Sequence, residues 1–155
     1  MIYIRDFFSN YMLMSVIAAW LVAQILKGIT GVFKLKKFTV TEFLFGTGGM
    51  PSSHTAAVAA LATSAGLKMG FNSAAFAISA LLMMIVVRDA TGMRHEVGKH
   101  AKTLNAILSE RRNGEDSTHE LLKELVGHTP LQVFFGLLVG IAVAIGMSFI
   151  LALRP

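Results

Sequence analysis

The sequence predicts an all-α integral membrane protein: a polytopic helical bundle of about four transmembrane helices, with interfacial amphipathic helices beside them. Three observations carry this. Of the 155 residues, 54% are hydrophobic and only 15% charged, and the mean hydropathy is +0.64. The apolar residues fall in long runs, the pattern of membrane spans. The only sizeable polar region, Arg88 to Thr129, lies between two of those runs. The chain has no cysteine, which excludes disulfides, thiolate metal sites and cysteine nucleophiles and leaves the compartment open. A net charge of +5 suits anionic headgroups as well as nucleic acid; in a membrane chain it is read as headgroup attraction and positive-inside bias.

A helix rises 1.5 Å per residue, so about 20 residues cross the hydrocarbon. The first span, Tyr11 to Phe33, is long enough. It is too long for a signal-peptide core, it carries Gln24 and Lys27, and no clear small-x-small cleavage site follows, so it is read as a retained span. The second, Pro51 to about Met69, and the third, Phe71 to Val87, are marginal in length and rich in Ala, Ser and Gly. That composition belongs to closely packed helices rather than lipid-facing ones. They are expected to form a tight hairpin turning at residues 68–72.

In the polar region, 88–129, "RDATGMRHEVGKHAKTLNAIL" reads as a helical continuation of the third span and "SERRNGEDST" as a linker. "STHELLKELVG" opens on a capping box, Ser117 with Glu120, and its Leu121, Leu122, Leu125 and Val126 give a face for the membrane surface. The fourth span, Pro130 to Leu153, begins with Thr129 as N-cap, Pro130 at the first helical position and Gln132 completing a capping box. Along it Gly136, Gly140 and Ala144 form a small-xxx-small stripe, either a helix-packing surface or a homodimer contact. The whole chain is expected to form a single membrane domain.

Four spans put the loops 34–50 and 88–129 on one side. These hold most of the Lys and Arg, from Lys34 to Lys123, against Arg5, Lys68 and Arg154 opposite. The positive-inside rule then places both loops in the cytoplasm and both termini outside, with a bacterial inner membrane as the expected location. The same parity gathers four polar motifs at one face: Lys27 and Lys34 ending the first span, "PSSH" opening the second, "RDATGMRH" leaving the third and "GHTP" entering the fourth.

"GGMPSSHTAA" is the most informative of these. Pro51 suits the first turn of a helix, where its missing N–H costs nothing. The amides of Ser52, Ser53 and His54 would then point outward with the helix dipole and form an anion site. The hydroxyls add donors, and His54 can exchange a proton near neutral pH. A plain helix start with a solvated histidine is the alternative.

This motif resembles the Pro-Ser-x-His motif of the type 2 phosphatidic acid phosphatase superfamily. "VVRDATGMRHEVGKHAKTLN" and "KELVGHTPLQV" resemble its divergent branch of small membrane proteins, related to acid phosphatases and vanadium haloperoxidases. The resemblance implies action on a lipid phosphate without a metal or other cofactor. It implies that His54 protonates the leaving group and that Ser52, Ser53 and Arg88 hold phosphate. Where the wider superfamily has its nucleophilic histidine this chain has Arg94, and Gly98 stands where that histidine's aspartate would be. Arg94 is then expected to bind phosphate in bidentate fashion. Two histidines could replace the nucleophile. His95 lies one residue late, about 100° round a helix, and would serve if the helix is distorted near Gly92. His128, just outside the fourth helix, is preferred.

Lys27-x6-Lys34 keeps the spacing of the superfamily's first motif and could add phosphate ligands, although Lys27 could equally snorkel to the interface. Asp89, between Arg88 and Arg94, is either a salt-bridge partner or a proton-transfer group. Lys99 and Lys102 read as a headgroup-attracting stripe. The expected function is a lipid-phosphate phosphatase or phosphotransferase acting on a phospholipid or polyprenyl (di)phosphate. The alternatives are a non-hydrolytic binder or carrier of the same lipid and a structural membrane subunit. No nucleic-acid partner is expected.

Overall fold

The structure, a computed structural model, describes residues 2–32, 50–110, 122 and 129–152. Among these described residues six helices follow in order: α1 (Ile2–Ser9), α2 (Tyr11–Val32), α3 (Ser53–Met69), α4 (Ala74–Thr91), α5 (Met93–Glu110) and α6 (Pro130–Ala152). The chain is an all-α membrane helical protein, as the composition predicts. Among the described residues, three stretches are long and apolar enough to cross a membrane: Tyr11–Thr30, Ala74–Leu108 and Pro130–Ile150.

α3, 17 residues long, is not one of those three, and it holds the inner position of the bundle. It packs against α2, α4 and α6 together, and its buried residues run from Ser53 through Thr55, Ala56, Ala59 and Ala60 to Gly66. An Ala- and Ser-rich helix gains little from lipid, but its small side chains let three neighbours approach closely. The core is accordingly made of small residues: Ala19 and Ala23 of α2, Ala56 and Ala60 of α3, and Ala144 of α6, flanked by Val139 and Val143. α4 instead turns Ile78, Leu81, Leu82, Met84 and Ile85 outward.

The Gly136–Gly140 stripe faces α3. A Cβ on Gly136 would lie 2.6 Å from the Ser52 carbonyl oxygen and 3.0 Å from Thr55 Cβ. One on Gly140 would strike the Ala56 carbonyl oxygen and lie 2.7 Å from Ala59 Cβ. The stripe thus serves helix packing within the chain, the first of the two roles its sequence allows.

The hairpin forms where expected. α3 ends at Met69, Gly70 takes φ +91°, and Ser73 caps α4 by accepting the Phe76 amide at 3.2 Å. A left-handed φ is cheap only for glycine. The helical continuation beyond α4 is also present, as α5, with one break at Gly92 (φ −103°, ψ −92°).

Two elements differ from expectation. The first helix, α1, was not foreseen; Asn10 separates it from α2 by accepting the Leu13 amide at 3.1 Å. α3 begins at Ser53, one residue after its N-cap Ser52, so Pro51 stands outside the helix rather than in its first turn. The amphipathic segment opening at Ser117 lies outside the described residues except for Leu122. The backbone of Leu122 is held by Asn105 of α5, whose carboxamide accepts its N–H at 3.0 Å and donates to its carbonyl at 2.9 Å.

Candidate functional site

Two hydrogen bonds assemble one polar end of the bundle. The Thr30 hydroxyl at the end of α2 donates to the Met50 carbonyl at 2.6 Å. The Ser52 N–H donates to the Gln132 carbonyl in the first turn of α6 at 3.0 Å. The start of α3 is therefore fastened to the end of α2 and to the start of α6, and α3 and α6 run parallel. At the far end the Tyr11 hydroxyl donates to the Ala144 carbonyl at 2.8 Å, fixing α2 antiparallel to α6. α2 therefore runs opposite in direction to both α3 and α6.

The opening of α3 is built as follows. Ser52 is fully buried. Its hydroxyl oxygen accepts the Thr55 N–H at 3.4 Å and the Thr55 hydroxyl at 2.9 Å, while its carbonyl accepts the Ala56 N–H at 3.0 Å. Ser52 is thus a helix cap enclosed by protein, not the outward phosphate donor expected of it. With Ser52 N–H bonded to Gln132 and Thr55 N–H capped, an anion at this end would meet the amides of Ser53 and His54 rather than three successive amides. The Ser53 side chain is buried and the His54 side chain exposed, so the histidine alone of the three reaches the surface.

α4 ends on the same side, because the hairpin returns it antiparallel to α3. Arg88 is exposed and Asp89 half-buried, and Ala90 behind them is 5% exposed. Lys27 is half-buried, three residues before Thr30. Gly92 then breaks the helix while its own N–H still reaches the Arg88 carbonyl at 2.9 Å. Arg94 and His95 follow in the first turn of α5; their side chains lie outside the described set. The distortion on which a role for His95 depends is therefore present in the backbone. Lys99 is exposed and paired to Glu96 one turn away at 2.7 Å, which fits a solvated stripe.

α6 opens as its sequence predicts. The Thr129 N–H donates to Gln132 Oε1 at 2.9 Å, and the Gln132 N–H reaches back to Thr129 Oγ1 at 3.4 Å. His128, immediately before Thr129, and Lys34 lie outside the described residues. Among the described residues, no group of three or more His, Cys, Asp or Glu side chains gathers as a metal site requires.

Sequence reading missed Thr30 and the Gln132 carbonyl, which do the fastening. Thr30 offered no signal beyond its place at the end of a span. Gln132 was recognised for its side chain, whereas its backbone makes the contact.

A family model described as "Divergent PAP2 family" matches residues 8–143, a range that includes every candidate residue of this site. A Bacillus subtilis (strain 168) protein described as "Uncharacterized membrane protein YuiD" is 35% identical over 155 residues, covering 93% of this chain and 98% of that one. No solved structure matches the chain.

Proposed function

The chain belongs to the divergent PAP2 family, and from that premise we propose that its polar bundle end binds the phosphate of a membrane lipid and cleaves or transfers it. The observation that carries the reading is the Ser52–Gln132 bond, which ties the Pro-Ser-Ser-His opening of α3 to the start of α6. A phosphate there would meet the N-terminal amides of α3, the His54 ring beside them and the Arg88 guanidinium at the end of α4. Lys27, half-buried near the end of α2, is a further cation here, and by sequence Arg94 and Lys34 are candidates to join it.

The chemistry is in-line displacement. A histidine nitrogen, from His95 or His128, forms a bond to phosphorus as the bond to the lipid oxygen breaks. His54 gives its proton to that oxygen, and water then cleaves the P–N bond. No metal or cofactor enters this scheme. The substrate class is a phospholipid or polyprenyl mono- or diphosphate, since the site lies at the end of apolar helices that would hold the lipid tail near it. The abundance of Lys and Arg in the flanking loops favours a cytoplasmic face.

The test is phosphate release by purified protein in detergent, across lipid mono- and diphosphates. Wild-type turnover should fall by on the order of a hundredfold or more in His54→Ala, the scale of a lost general acid. Equal, negligible turnover in both across all these substrates sinks the enzymatic reading.

A second reading is non-hydrolytic binding or transport of the same lipid. What favours it is Arg94 standing where the wider superfamily has its nucleophilic histidine. Tight lipid-phosphate binding that is lost in Arg94→Ala, with no turnover, selects it.

A further inference from the structure

We infer that α5, with the Leu122 backbone fastened to its side, is a docking element for the membrane surface, lying in the headgroup layer of the bilayer beside the polar bundle end. The inference goes beyond the phosphate reading and does not depend on it. Length is the first reason. α4 has 18 residues and rises about 27 Å, nearly the whole hydrocarbon thickness of about 30 Å. α5 adds another 18 residues. Continued straight, it would carry its last turns on the order of 20 Å into water. The break at Gly92, with φ −103° and ψ −92°, falls at the membrane boundary and frees α5 from the direction of α4.

The second reason is the division of α5 into three faces. Val97, Leu104 and Leu108 follow one another by seven and four residues along one face, with Ile107 beside them. These four side chains are between 40% and 51% exposed, and His100 is exposed among them. Lys99 and Lys102 stand on the far side of the helix, both exposed, with Lys99 paired to Glu96. Gly98, Ala101 and Asn105, spaced by three and four, are buried and make the third face.

Asn105 ties a further piece of chain to that third face. Its carboxamide accepts the Leu122 N–H at 3.0 Å and donates to the Leu122 carbonyl at 2.9 Å. Two bonds to the backbone of one residue fix its orientation as well as its position. The Leu122 side chain is itself exposed, so the clamp adds a fifth large apolar group to the surface at α5.

A contiguous apolar surface rimmed by polar groups marks an interaction site, which singly scattered leucines do not. The bilayer is the occupant because α5 is joined through Gly92 to α4, one of the stretches able to cross a membrane. An apolar stripe on one side and lysines on the other is the pattern of a helix lying in the interface. Its apolar face is then immersed by about 5–10 Å, and its lysines face the water. A separate protein, or a second copy, would need the stripe to stand clear of the membrane, whereas α5 starts at the membrane boundary. On the phosphate reading, the same posture keeps the first turn of α5 at the depth of lipid headgroups.

The chain has no cysteine, so single labels can be placed at will. The variants Val97→Cys, Leu104→Cys, Leu122→Cys, Lys99→Cys and Lys102→Cys are each given a fluorophore. The full chain is reconstituted into vesicles of phosphatidylethanolamine and phosphatidylglycerol. Phospholipid brominated on its acyl chains quenches from within the bilayer, and iodide on both sides quenches from water. Labels at 97, 104 and 122 should be quenched severalfold more by brominated lipid than labels at 99 and 102, with the order reversed for iodide. Equal iodide quenching at all five positions overturns the inference, because α5 then stands in water. Labels at 97 and 104 shielded from both quenchers also overturn it, because protein then covers the stripe. In Asn105→Ala, the label at 122 should lose its lipid quenching while the label at 104 keeps it; lipid quenching retained at 122 refutes the clamp. None of these readouts needs turnover. Failure of the phosphate-release assay therefore leaves the docking surface standing, and failure of the quenching test leaves the phosphate reading intact.

Discussion

Ser52 and His54 show how two residues of one motif acquire different work. They stand at the opening of α3 with only Ser53 between them, and on sequence grounds both are candidates for a phosphate site. The helix sends Ser52 inward, where its hydroxyl takes two donors from Thr55, and leaves His54 exposed. Ser52→Ala should therefore act on stability first. Loss of an N-cap costs about 1 kcal/mol, and the buried Thr55 hydroxyl loses its acceptor as well. Thermal unfolding in detergent should show a lowered Tm for Ser52→Ala. An unchanged Tm together with weakened lipid-phosphate binding would return Ser52 to the site.

At the scale of elements, α3 and α6 are the pair on which the polar end depends. They touch through glycine and alanine, and a side chain at Gly140 has nowhere to go, with the Ala59 Cβ already 2.7 Å from where its first carbon would sit. Overpacking of this kind costs about 1–3 kcal/mol. Gly140→Val should lower the unfolding temperature and also loosen the Ser52–Gln132 bond about two turns away along α6. Gly146 has nothing within 4 Å of an added Cβ, so Gly146→Ala in the same assay should be nearly silent. Comparable losses in both variants would mean that the stripe is not the tight contact described. The other instructive element is the break at Gly92. Spacing counted through a continuous helix puts His95 about 100° out of register, and that count does not hold across a distorted residue.

For the molecule as a whole, the chain order of its spans decides which motifs meet. Helix direction alternates, so the end of α2, the starts of α3 and α6 and the end of α4 come to one side. The absence of cysteine makes this measurable. Single cysteines at Arg88 or Thr129 should react with a membrane-impermeant maleimide only from the cytoplasmic side, and those at Lys68 or Asn72 only from the other. All four residues are exposed. Labelling of both groups from the same side would break the bundle arrangement, and a clean reversal would keep the arrangement but overturn the positive-inside assignment.

Long apolar runs determined the fold class, because a helix in lipid must satisfy its own backbone and be apolar over its length. The hairpin at Gly70 and the capping box at Thr129 were equally legible, since turn and cap chemistry is local. The Pro-Ser-Ser-His motif was legible as a likeness. What it would present to a ligand was not, for three reasons that lie in the tertiary structure. Ser52 is buried because α6 brings Gly136 against it; its amide is used because Gln132 happens to stand opposite; and Arg88 comes to the same side as His54 because the hairpin returns α4 antiparallel to α3. Local sequence sets which groups a residue carries. Only the packing of distant helices decides which of those groups is already bonded and which faces outward.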